Sequence, residues 1–278
     1  MTDEQKAKAQ KAVRRLQDLG WAGAGGAEGI LVAFSGGQDS ALVARFARDA
    51  VGERALAVTV VSVFLADSER ERARRVASDI GIAHEELSMD VLGDATVAAN
   101  PKDRCYHCKR RIFEALTALA EERGLAAVCD GANVDDAADY RPGRRATTEL
   151  GVVSPLAEAG ITKADIRDVS RELGLATWNL PSSACLASRI PYGTPLRETV
   201  LKRVEAAEEC LRELGIRQCR VRVHGDTARI EVDPANFATV VEHGDRIVAD
   251  LTGCGFRTVT LDLRGFRSGS LNEGVVTG

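Results

Sequence analysis

Apolar residues in the first two thirds of the chain fall into short runs set between amphipathic stretches. Ile30 to Phe34 is continuously apolar. Ala55 to Val63 carries Val58, Val60, Val61 and Val63, Leu125 to Asp130 is a shorter run, and Ile82 to Leu87 reads as a short strand. Runs of this length, rich in β-branched residues, predict buried strands. Helical spacing lies between them. Ser68 to Ile80 puts Ala73, Val76, Ala77 and Ile80 on one face and ends at Gly81. Asp90 to Ala99 reads as helix. The stretch after Cys105 to about Arg123 turns Ile112, Leu116 and Leu119 inward and stops at Gly124. Thr162 caps a helix through Leu173, closed by Gly174. Strands alternating with helices predict an α/β fold, a parallel sheet with helices on both faces. Ligands of such sheets sit beyond the carboxyl ends of strands, where Ser35, Asp130 and the Pro155 region fall.

The pattern changes near residue 193. Leu196, Val200, Val204, Ala207, Leu211 and Leu214 repeat at helical spacing. Val221, Val223, Ala228, Ile230 and Val232 alternate around Gly225-Asp226, a hairpin signal. A helix from about Ala235 to Leu251 and a strand with Val259, Leu261 and Leu263 follow. The expected organisation is a helical extension over 1–27, an α/β domain over 28–193 and a small α+β domain over 194–278.

With 37 basic and 41 acidic residues the net charge is −4, which gives no footprint for non-specific nucleic-acid binding. Met1 to Leu19 is charged and amphipathic, without an apolar signal core, and leads into Gly23-Ala24-Gly25-Gly26. No apolar run approaches the ~20 residues of a membrane span. Seven cysteines without an export signal read as thiols or metal ligands in a reducing, cytoplasmic setting.

The first strand runs into Ser35-Gly36-Gly37-Gln38-Asp39-Ser40 and then a helix. Two glycines allow a sharp turn and close approach of a ligand. The open N–H groups and dipole of the helix start favour an anion. The triphosphatase loop needs a Lys after its second glycine, and none is present. S-G-G-x-D-S instead resembles the PP-loop of ATP pyrophosphatases. That resemblance implies an adenine nucleotide alpha hydrolase-like sheet, ATP with Mg²⁺ as cofactors, and AMP transfer to a substrate oxygen. It assigns the nucleotide to Ser35, Gly36, Gly37, Asp39, Ser40, Asp130 and Gly131.

Cys105 and Cys108 form a C-x-x-C pair at a helix start, and Cys185 lies in a Pro-flanked loop. Three readings stand open from the residues: scattered structural thiols, a redox dithiol, or a metal site that is either zinc or an iron–sulfur cluster. Cys129, Cys210, Cys219 and Cys254 read as small buried hydrophobes.

The PP-loop, Asp130-Gly131-x-Asn133, Asp139-Tyr140-Arg141-Pro142-Gly143, Ser188-Arg189-Ile190-Pro191-Tyr192-Gly193 and Gly265-Phe266-Arg267-Ser268-Gly269 together resemble the LarE family. Its members are ATP-dependent sulfur transferases of nickel-pincer nucleotide cofactor synthesis. The match spans about residues 28–272. It implies that a carboxylate of pyridinium-3,5-biscarboxylic acid mononucleotide is adenylylated and that sulfur displaces AMP.

Some members sacrifice a cysteine, but that position falls here on Ala184. Others hold a [4Fe-4S] cluster on three cysteines, which match Cys105, Cys108 and Cys185. The resemblance further implies catalytic roles for Cys185, Ser188, Arg189 and Glu208, substrate binding by Arg220, Arg222 and Arg267, and a homo-oligomer. Arg220 and Arg222 share one strand face, where a solvated, salt-bridged surface is the plain alternative.

Lys163 could lie near phosphate, and Asp135, Asp136 and Asp139 could help bind Mg²⁺ or line a solvated loop. His107 and His224 receive no role. Rival readings are a self-sacrificing donor, an ammonia-using amidotransferase, a tRNA thiolase and a zinc-stabilised nucleotide-binding module.

Overall fold

The computed structural model describes residues 1–21, 26, 28–137, 143–181, 183–267 and 271. Asp139 to Pro142 and the Ser268-Gly269 end of the closing motif lie outside the described residues, as do Gly23, Ala24 and Gly25. The chain folds into two compact units. The first comprises Met1–Ser62, Asp67–Met89 and Asp103–Ser183, and the second Val63–Ala66, Asp90–Lys102 and Ala184–Gly278.

In the first unit β1 (Ile30–Ala33), β2 (Ala55–Val61), β3 (Ala83–Ser88) and β4 (Ala127–Cys129) form a parallel sheet in the order β3-β2-β1-β4. Side chains alternate across its two faces. Ile30, Val32, Ala57 and Cys129 pack with α1 (Asp3–Trp21), α2 (Gln38–Val51), α3 (Asp67–Ile80) and α8 (Lys163–Glu172). Leu31, Leu56, Val58 and Val128 pack with Phe113, Leu116 and Ala120 of α5 (Arg104–Glu122). Burial on both faces explains the apolar runs of β1, β2 and β4, while β3 is a half-exposed edge strand. Truncating a fully buried residue such as Leu31 to Ala would cost about 2–5 kcal/mol. A capping box of Thr162 and Asp165 starts α8.

Only Ala95–Ala98 of the helix expected over Asp90 to Ala99 is α-helical (α4). Asp90 accepts from Leu92 N and Gly93 N, and Asp94 from Thr96 N and Val97 N. Carboxylates that capture nearby amides favour turns and caps over helix interior.

In the second unit α9 (Glu198–Glu213) buries Leu201, Val204, Ala207 and Leu211. The hairpin of β5 (Cys219–His224) and β6 (Thr227–Val232) is antiparallel, and β7 (Thr258–Leu261) pairs parallel to β6. The helix expected over Ala235 to Leu251 is two, α10 (Phe237–Glu242) and α11 (Gly244–Gly253). His243, with φ −96° and ψ 18°, leaves helical geometry just before a glycine. The last strand stops at Leu261, and Leu263 is exposed. No helix among the described residues is long and apolar enough to cross a membrane.

Candidate functional site

In the first unit, β1 delivers Ser35 to the start of α2. Gly36 has φ +66°, and a Cβ there would sit 2.6 Å from Ala73 Cα, so only glycine fits. Gly37 is the N-cap and supplies no side-chain cap, which leaves the first amides of α2 open to a ligand. Ser35 and Ser40 brace the turn. Their hydroxyls lie 3.1 Å apart, Ser35 N donates to Ser40 Oγ at 3.2 Å and Gly37 N to Ser35 Oγ at 3.3 Å. Gln38 is buried and donates from Nε2 to Trp178 O at 2.7 Å, which anchors the first helical residue.

Asp39 forms an ion pair with Lys163 Nζ. The Lys163 amide donates to Asp135 Oδ2 at 2.7 Å, so Asp135 orders the start of α8. Asp130, at the end of β4, accepts from Ser154 Oγ at 2.7 Å and Ala132 N at 3.1 Å. A Cβ on Gly131 would lie 3.0 Å from Ser40 N, so this strand end packs directly on the loop. The structure therefore gathers Ser35 to Ser40, Asp130, Gly131 and Lys163 at the carboxyl ends of β1 and β4. Asp136 is buried and accepts from Asn133 N.

The second unit carries a buried cluster of opposite charges. Arg189 binds Glu208 in bidentate fashion, Nε to Oε1 at 2.7 Å and Nη2 to Oε2 at 2.8 Å. Glu208 also accepts from Arg212 at 3.2 Å and from Val221 N at 3.0 Å. Burial pushes the Glu208 carboxyl upward, but the hydrogen bonds and charge of Arg189, the charge of Arg220 and the Val221 amide together outweigh it and hold the group below the usual carboxylate range.

Arg189 Nη1 donates to Ala184 O, to Cys185 O at 3.0 Å and to Ser188 Oγ at 3.1 Å, so it shapes the turn that bears Cys185. Arg222 pairs with Glu231 at 3.0 Å and donates to Ser188 O at 2.5 Å. Arg220 donates to Cys219 O at 2.9 Å and lies 5.2 Å from the centre of the Phe266 ring. Burial, with Arg189 beside it, lowers the Arg220 guanidinium to about 10. Arg220 and Arg222 are both buried rather than solvated, and Arg222 is salt-bridged as the structural alternative expects. Arg267 lines a polar cleft of about 580 Å³ with Arg229, Asp262 and Arg264.

None of the seven cysteines is in a disulfide. Cys105 and Cys108 sit three apart in the first turn of α5, hence on one helix face. Arg104, nearly fully buried, donates to Cys105 Sγ at 3.4 Å. Cys185 is exposed and belongs to the other unit. Among the described residues no three His, Cys, Asp or Glu side chains stand gathered as a metal site. The chemistry of the donor set, three accessible soft thiols, still suits an iron–sulfur cluster. Cys129 and Cys219 are buried, and burial raises the Cys219 thiol to about 12. His107 is bonded to Asp103 at 3.1 Å.

The sequence reading missed Glu231 and Asn100. Glu231 was visible as the strand partner directly opposite Arg220 in a hairpin. Asn100 left only the signal of an Asn-Pro break.

The profile of the NAD synthase family matches residues 22–109. The pyridinium-3,5-bisthiocarboxylic acid mononucleotide synthase of Lactiplantibacillus plantarum is 41% identical over 245 residues, 88% of this chain and 89% of that protein. The chain belongs to the LarE family. Two uncharacterized proteins are further relatives. One from Synechocystis is 44% identical over 87% of this chain and 91% of its own length. One from Methanocaldococcus jannaschii is 29% identical over 86% and 91%.

Proposed function

We propose that the protein is an ATP-dependent sulfur transferase that acts on pyridinium-3,5-biscarboxylic acid mononucleotide, the precursor of a nickel-pincer cofactor. The observation that carries this reading is the loop from Ser35 to Ser40, with open helix amides, braced hydroxyls and Lys163 beside Asp39. Amides and hydroxyls fixed in place bind pyrophosphate without reorganisation. Asp39 suits the hard Mg²⁺ that accompanies ATP and offsets phosphate charge.

A substrate carboxylate oxygen attacks the α-phosphorus. The new O–P bond forms as the bond to pyrophosphate breaks, and the loop retains the leaving group. A sulfide nucleophile then adds at the acyl carbon, the C–O bond to AMP breaks and the thiocarboxylate remains. Arg220 and Arg222 face the anionic substrate. A guanidinium whose burial lowers its pKa gains from a bound anion, because the anion replaces lost hydration. Arg267 holds the nucleotide phosphate in the same reading.

Cys105, Cys108 and Cys185 would hold a [4Fe-4S] cluster. Bound there, it would supply an iron with an open position for an exchangeable sulfide. Ser188 and Arg189, beside Cys185, orient the substrate for attack by sulfur, and Glu208 fixes Arg189. The protein acts as a homo-oligomer in the cytoplasm.

Substrate-dependent pyrophosphate release tests the loop. Asp39→Ala is expected to lower it on the order of 10²-fold. Release at the wild-type rate removes the assignment.

A further inference from the structure

Asn100 is fully buried and has φ +56°, the single positive φ outside glycine among the described residues. Asn reaches this region more readily than other side chains, but it still carries strain. Pro101 follows, and a proline restricts the backbone of the residue before it. Strain of this kind persists only where the surroundings over-determine it, and it concentrates at functional sites.

The surroundings here are one loop of the second unit. The Asn100 carboxamide nitrogen donates to Pro191 O at 2.8 Å, Thr194 O at 3.1 Å and Ile190 O at 3.4 Å. Its main-chain oxygen accepts from Gly193 N at 2.8 Å. Leu196 N donates to Ala98 O at 2.7 Å. Residues 98–100 are thus a bed on which 190–196 is tied. The tied turn begins one residue after Arg189, which in turn grips the carbonyls of Ala184 and Cys185.

We infer that Asn100 is a positioning residue for sulfur transfer: through the turn at 190–194 it sets Arg189, and through Arg189 the backbone that presents Cys185. This rests on the function proposed above. No other side chain meets both demands. Asp keeps the shape but has no N–H to offer three carbonyls, and Gly keeps the backbone conformation but has no amide.

The test uses Asn100→Gly and Asn100→Asp in the anaerobically reconstituted full chain. ATP, Mg²⁺, the pyridinium biscarboxylate mononucleotide and sulfide are supplied. Pyrophosphate and thiocarboxylate are both counted, and alkylation of Cys185 by iodoacetamide is timed by mass spectrometry on the full chain before reconstitution. Pyrophosphate release is expected to stay within about threefold of wild type, while thiocarboxylate formed per pyrophosphate falls about 10- to 100-fold. A role confined to folding would lower both together and leave that ratio unchanged, which overturns the inference. A normal ratio in Asn100→Gly overturns it too, because the amide would then do nothing.

Asn100→Gly relieves the strained backbone and so carries the test if Asn100→Asp does not fold. If wild type makes no thiocarboxylate, the proposed function fails, and alkylation alone decides. A severalfold change in the Cys185 rate in Asn100→Gly supports the loop clamp, and an unchanged rate overturns it.

Discussion

Glu208 is fully buried yet ionised, because Arg189, Arg212 and the Val221 amide together surround its two oxygens. Removing one partner of such a pair leaves a buried charge unmatched, so Glu208→Leu is expected to destabilise the second unit by about 3–5 kcal/mol in denaturant unfolding. The carboxyl is held below its unfolded range. Its stabilisation is therefore present above that range and is lost as pH falls through the lowered folded value. The wild type should lose stability in acid with a steeper slope than Glu208→Gln, and equal slopes would contradict the ion pair. Lys163 reads in sequence as either an exposed helix residue or one near phosphate, and its pairing with Asp39 gives it a place at the loop. Lys163→Met is expected to slow pyrophosphate release about tenfold with the fold intact by circular dichroism. A rate equal to wild type would return Lys163 to the solvated surface.

The elements that sequence made legible are those whose pattern matches one local rule. The strands β1, β2 and β4 were readable because both faces are apolar, and the loop because its glycines and serines sit between a strand and a helix. Gly36 shows why that spacing is specific, since a Cβ there would meet the Ala73 backbone on α3. Gly36→Ala is expected to cost about 1–3 kcal/mol and to weaken ATP binding, as calorimetry would show. Full ATP affinity would contradict the loop geometry.

Two helices were over-read where periodicity continued through a break. Asp90 and Asp94 spend their carboxylates on local amides, and His243-Gly244 interrupts a stretch that remains apolar at helical spacing. The arginine cluster was only half legible. Strand alternation placed Arg220 and Arg222 together, but their burial also depends on the Ser188 turn, which is distant in sequence. Asn100 depends on a loop some ninety positions away and has no local signature.

At the scale of the whole molecule, the first unit carries the loop from Ser35 to Ser40 with Cys105 and Cys108, and the second carries Cys185 and the buried arginines. Anaerobic purification is expected to give brown protein with about four irons per chain, lost in Cys105→Ser, Cys108→Ser and Cys185→Ser variants. Colourless protein with stoichiometric zinc would remove the cluster. The central claim, that ATP activates a carboxylate for attack by sulfur, is tested most directly by labelling that carboxylate with ¹⁸O. One turnover is expected to leave one ¹⁸O in AMP for each pyrophosphate released and thiocarboxylate formed, with the mass of every cysteine unchanged. Unlabelled AMP, or label found in inorganic phosphate instead, would contradict it.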